Sequence, residues 1–210
     1  MQEIIIPDSF IPANDSMFGL FDYHSFENCN KQLINLTKNA FSFLIEGKKE
    51  VITGNGSLSI NNTDFLLMQS GHCLMTEKLS PIHKNYRSIL LFFSNEAILQ
   101  FIRKFDILSV ISFYKQSIYA FQYDEFIKTY VKSLIQISKL PLNSKKNLLS
   151  VKFEEIMLFL VEKKGSEFLY SILTHHNQQS QKLISVVETN KYNILTLKEL
   201  AFLSNMSISS

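Results

Sequence analysis

The chain contains no tryptophan, and only two of its 21 Lys and Arg residues are arginine, Arg87 and Arg103. Its formal charge is +2. A domain that grips DNA unaided carries a basic face, with arginine on base edges and phosphates. That shortage argues against these 210 residues binding DNA by themselves. Cysteine is scarce as well. Cys29 and Cys73 lack metal-type spacing, and without an export signal they are expected to be free buried thiols. The opening "MQEIIIPDSFIPAND" has neither a basic n-region nor a long apolar h-region, so it does not read as a signal peptide. The longest apolar run, "ILLFF" at 89–93, is far too short for a membrane span. These absences predict a cytoplasmic protein with no membrane attachment. Phenylalanine, by contrast, is abundant at 18 residues, which points to an aromatic interior.

Residues 1–94 carry β patterns. "FSFLIEG" (41–47) alternates Phe41, Phe43 and Ile45 against Ser42, Leu44 and Glu46, the period of a strand with one face more buried. "EVITGNGSLSI" places Gly54-Asn55-Gly56 between two short strands, a hairpin turn that calls for positive φ. "NNTDFLLM", "HCLMTEKL" and "YRSILLFF" supply further strands, and this spacing predicts a sandwich or small barrel with antiparallel pairing. On this register Phe41, Phe43, Leu58, Ile60, Phe65, Leu67, Leu90 and Phe92 project one way, into the interior. That face is expected to be a filled core or an apolar pocket, since a sugar site needs placed hydrogen-bonding groups.

The pattern changes at Ser94, which is placed to cap a helix bearing Ile98, Phe101, Ile102 and Phe105. A second helix spans about 124–138, with Ile127, Val131, Leu134 and Ile135 on one stripe. A third runs over about 143–164, capped by Asn143 or Ser144 and closed by Gly165. Its apolar positions form two stripes: Leu149, Phe153, Ile156 and Leu160, beside Leu148, Met157 and Val161. One stripe can face the chain's own core and the other a partner, or both can be buried in one monomer.

The tail, "TLKELAFLSNMSISS", reads as helix, tight turn, helix. Thr196 with Glu199 three residues on forms a capping box. Ala201 is small, as a close helix crossing requires. Asn205 tolerates a left-handed turn residue, and Ser207 can cap a helix beginning at Ile208. This is the helix-turn-helix pattern. "SVVETNKYNILTLKELAFLSNMSISS" closely resembles the entry to the DNA-binding domain of AraC-type bacterial transcription regulators, with Thr196, Leu197, Leu200, Ala201, Met206 and Ser207 on the family pattern. "CLMTEK" followed by "YRSILLFFSNEAILQFIRKF" is similar to the subgroup that includes the activators of type III secretion.

The resemblance implies an α+β chain with three parts. Residues 1–94 form an antiparallel cupin-like β barrel that senses, 95–180 a helical dimerisation subdomain, and 181–210 a truncated start of the DNA-binding domain. It implies a homodimer that contacts DNA only through the missing C-terminal domain, so no sequence-specific binding by these residues is expected. The effector is an apolar small molecule or a regulatory protein. The barrel-interior candidates are Phe41, Phe43, Leu58, Phe65, Leu90 and Phe92. The dimerisation candidates are Ile127, Val131, Leu134, Leu149, Phe153, Ile156 and Leu160. Thr196, Glu199, Ala201 and Ser207 mark the helix-turn-helix start, whose first helix is expected to fray or to pack opportunistically.

The alternative is a small metal-dependent cupin enzyme. Its nearby ligand candidates are His72, Glu77 and His83, but the enzyme motif needs two His one residue apart, and position 74 is Leu. His72 and Glu77 are five apart, which puts them on opposite faces of an unbroken strand. No Gly-x-Ser-x-Gly motif or phosphate loop occurs. His175 and His176 read as a helix-end pair. No metal, cofactor or catalytic residue is expected.

Overall fold

A computed structural model of the chain describes residues 3–9, 17–108, 116–173 and 179–207. Among these residues ten strands form two five-stranded sheets. In chain order they are β1 (Ile4–Ile6), β2 (Phe18–Ser25), β3 (Cys29–Leu36), β4 (Asn39–Glu46), β5 (Lys48–Thr53), β6 (Gly56–Asn61), β7 (Asp64–Met68), β8 (Gly71–Lys78), β9 (Tyr86–Phe93) and β10 (Ile118–Gln122). The first sheet has the order β1-β3-β8-β5-β6 and the second β10-β7-β4-β9-β2. Every pairing is antiparallel except β1 with β3, which is parallel and departs from the expected pattern.

Among the described residues six helices follow or interrupt the strands: α1 (Asn95–Lys104), α2 (Glu125–Ser138), α3 (Leu142–Lys164), α4 (Glu167–Leu173), α5 (Gln179–Thr189) and α6 (Leu197–Leu203). Ser94 caps α1 by accepting from Ala97 N, and Asp124 caps α2 by accepting from Ile127 N. For α3 the expected cap is displaced. The helix starts at Leu142 after Pro141, so Asn143 and Ser144 lie inside its first turn, while Gly165 ends it at φ 77°.

Four layers result. The two sheets enclose an interior built from Ile34, Leu36, Val51, Met75, Leu90 and Phe92 among others. Helices α1–α4 cover the outer face of the second sheet, and α5 with α6 contact the outer face of the first. The boundary expected at residue 94 is therefore not a division of the core. β10 returns from the helical region to pair with β7, and the helices share one apolar cluster with β4, β7 and β9.

That shared cluster corrects two sets of candidates. Phe41, Phe43 and Phe65 are fully buried, but on the helix side of the second sheet rather than inside the barrel. Both faces of β4 are covered, so the alternation could not say which one looks inward. The inward residues are Ala40 and Leu44, with Ser42 between them. Likewise Ile127, Val131, Leu134, Leu149, Phe153, Ile156 and Leu160 are all buried in the chain's own core. Phe153 makes tilted and edge-on ring contacts with Phe18, Phe93 and Phe101, and Tyr130 packs on Phe43 at 5.5 Å. A side chain enclosed in this way has no surface left for a second copy.

Candidate functional site

The inward face of the first sheet carries a buried ion pair. Along β5 Lys49 and Val51 point inward, and along β8 Cys73, Met75 and Glu77 do. The two strands are antiparallel and set Lys49 directly opposite Glu77. The Lys49 ammonium donates to Glu77 Oε1 at 3.3 Å, with the two side chains only 2% and 7% exposed. Burying either charge alone is costly, so each side chain is held by the other. Glu77 Oε2 is buried and accepts no hydrogen bond.

A cavity of ≈100 Å³ adjoins this pair. Lys49, Glu77, Tyr23 and Gln32 supply its polar wall. Ile34, Met68, Met75, Leu90 and Phe92 are prominent in the apolar wall, and Ile4 and Ile6 of β1 complete one side. Burial and the nearby Glu77 carboxylate both push the Tyr23 and Tyr86 hydroxyls well above the ordinary phenol range, so both remain protonated donors. Burial pushes the Cys73 thiol up to about 12, which leaves it protonated and unreactive at neutral pH.

Of the barrel-interior candidates, Leu90 and Phe92 line this cavity, and Leu58 packs at the margin of the interior cluster from the edge strand β6. The polar wall was not anticipated. Lys49 and Glu77 are 28 residues apart, and only the β5–β8 register makes them neighbours. The opposite-face inference for His72 and Glu77 holds: His72 faces outward, its ring 4.5 Å from that of Phe202. His83 sits on the surface with Glu46 at 3.2 Å. Among the described residues no three His, Cys, Asp or Glu side chains converge as metal ligands. His175 and His176 lie outside the described residues.

The tail packs against the opposite side of the same strands. Leu33, Ile52 and Leu74, on the outward faces of β3, β5 and β8, enclose Val186 of α5 and Leu203 of α6, which is 2% exposed. Gly54 lets α5 come close, since a Cβ there would stand 2.9 Å from Val186 Cγ2. Asn190 donates from Nδ2 to Thr53 O at 3.0 Å. Lys31 donates to Ile194 O and lies 3.8 Å from Glu199. The capping box is present: Thr196 Oγ1 accepts from Glu199 N, and Glu199 Oε2 accepts from Thr196 N. Asn205 adopts φ 57°, the left-handed turn residue expected, and Met206 N donates to Ala201 O at 2.9 Å. Ala201 is half-buried and Ser207 exposed, and the helix expected from Ile208 lies outside the described residues. With Leu203 buried on the barrel, α6 is packed rather than frayed.

The sequence profile described as the ExsA N-terminal regulatory domain matches residues 39–172. Among solved structures, an apo variant of ToxT from Vibrio cholerae strain SCE256 aligns with TM-score 0.54 at 12% identity, over 92% of this chain and 72% of that one. ToxT from V. cholerae O395 bound to (E)-4-(8-methylnaphthalen-1-yl)but-3-enoic acid aligns with TM-score 0.51 at 13% identity, over 91% and 73%. Wild-type ToxT with an unsaturated fatty acid bound aligns with TM-score 0.50 at 12% identity, over 95% and 90%. At these identities the likeness is one of fold. No curated protein sequence matches the chain.

Proposed function

This chain belongs to the ExsA N-terminal regulatory domain family, and on that premise we propose that it is the sensing and dimerising region of an AraC-type transcription regulator. The signal is a small, largely apolar molecule held in the barrel, and its readout is the helix-turn-helix domain that begins at Thr196. The observation that carries this reading is the position of β8. Its inward residues Met75 and Glu77 line the cavity, while its outward Leu74 contacts the cluster that holds Leu203 of α6. A strand that moves to accommodate a ligand moves the seat of the reader. The ToxT structures with an acid in place support a small-molecule signal for this fold.

Dimerisation is assigned to a further face of α3, because Met157 of the second stripe is buried and Val161 packs against the core. Leu148, Val151 and Leu158 are 41%, 60% and 41% exposed and fall at helical a/d-type spacing. Phe126, itself partly exposed, stacks on Phe159 at 4.3 Å beside them. A second copy of this chain covers the stripe, and the pair of copies sets the spacing of two readers on their half-sites.

Leu203→Asp tests the coupling, because it places a charge in the α6 seat and leaves the barrel interior untouched. Amide hydrogen exchange across 197–203 is expected to rise to that of a free short helix, with β4 and β9 unchanged. In the regulator with its complete DNA-binding domain, the same substitution is expected to change DNA affinity in a gel-shift without ligand. Unaltered exchange in α6, or unaltered affinity once α6 is released, overturns the coupling.

A further inference from the structure

We propose that the barrel selects a short, uncharged amphiphile whose hydroxyl or amide N–H donates to Glu77 Oε2, and that it rejects carboxylates. This rests on the reading of the barrel as the signal receiver, and it narrows that signal to a chemical class different from the acids seen in ToxT.

Three observations on the cavity wall decide the class. First, among the described residues that line it the only buried cation is Lys49, which is already matched by Glu77 at 3.3 Å. A ligand carboxylate would bring a second negative charge beside Glu77 with no cation left to meet it, and two such groups cannot both stay ionised in a dry site. An ammonium would leave one positive charge in excess for the same reason. Second, Glu77 Oε2 is buried and makes no hydrogen bond, while Oε1 is used by Lys49 and the Tyr23 and Tyr86 hydroxyls lie beside the same carboxylate. A neutral O–H or N–H satisfies that oxygen through a charge-assisted bond and adds no net charge. Third, the remaining wall is aliphatic and aromatic, with Ile34, Met75, Leu90 and Phe92 placed to enclose a short tail. The volume limits its length: ≈100 Å³ is below the ~150 Å³ that admits benzene in an engineered apolar cavity, so a chain of about four carbons fits.

The test is methyl NMR on protein labelled at methionine. Met68 and Met75 report from the cavity wall, and Met157, buried in the helical layer, is the internal control. The probes are 1-butanol, butyrate and butylammonium, which share a tail and differ in head group. The expected result is saturable shifts of Met68 and Met75 with 1-butanol, weaker by about tenfold or more with either charged probe, and a static Met157. Glu77→Gln removes the carboxylate and leaves Lys49 unmatched, so it is expected to reverse the order and favour butyrate. If butyrate or butylammonium binds the wild-type protein as tightly as the alcohol, the proposed class is overturned while the barrel remains a receiver. If none of the three moves Met68 or Met75, the small-molecule reading of the barrel falls with it. The wild-type comparison decides the matter even if Glu77→Gln does not fold.

Discussion

Lys49→Met is the substitution that weighs the buried pair most directly. Methionine keeps much of the length of the lysine stem and removes only the charge, so packing against Val51 and Met75 is largely retained. The gross attraction of unit charges at 3.3 Å is about 5 kcal/mol at an effective dielectric of ~20. The wild-type protein offsets that attraction against the desolvation of both groups, so the pair as a whole adds little stability. Removing one member is different, because Glu77 is then a buried carboxylate with no counter-ion. The expected loss is about 3–5 kcal/mol, a large share of a typical domain's ~5–15 kcal/mol. Urea unfolding followed by tyrosine fluorescence and far-UV circular dichroism measures it, with an m-value close to wild type showing that the same surface unfolds. One control sharpens the result. Lys49→Met combined with Glu77→Leu removes both charges and should recover stability to within about 1 kcal/mol of wild type. A loss below about 1 kcal/mol, or a double variant as unstable as the single one, would refute the assignment of Glu77 as a desolvated charge held by Lys49.

Two further expectations concern the helical layer. Val151→Glu puts a charge at the centre of the exposed α3 stripe and should convert a dimer to a monomer in sedimentation velocity at high micromolar concentration, with the helical signal unchanged; a wild-type protein that sediments as a strict monomer removes the proposed interface. Asp124 accepts from Ile127 N at 2.9 Å and from Lys163 Nζ at 2.6 Å, and the Lys163 contact holds its carboxyl below the usual range. Asp124→Ala should cost about 1 kcal/mol at neutral pH. Because the folded carboxyl is the stronger acid, that contribution is present above about pH 4 and is lost as the pH falls through and below it. Unfolding curves of the two proteins should therefore converge in acid, and a constant difference down to about pH 2 would show that the charge is not involved.

The primary structure by itself determined the order of elements and the local chemistry of the chain ends. Ser94 and Thr196 cap helices where their spacing to the next apolar run says they should, because capping is settled within four residues. The left-handed Asn205 and the closing Gly165 belong to the same class. His72 and Glu77 were separable because strand parity is also local. Which face of a strand looks inward was not. β4 and β7 are buried on both sides, so Phe41, Phe43 and Phe65 could be placed in the barrel or under the helices with equal justification from alternation. The same limit applied to α3, where two apolar stripes compete. The tertiary structure enclosed Leu149, Phe153, Ile156 and Leu160 of one together with Met157 of the other, and left Leu148, Val151 and Leu158 outside. Only the tertiary structure could bring Lys49 to Glu77, since cross-strand register is set by the whole sheet rather than by any segment of it. It also decided the fate of α6. A seven-residue helix is marginal alone, and Leu203 is ordered because Leu33, Ile52 and Leu74, from three strands distant in sequence, present one apolar seat.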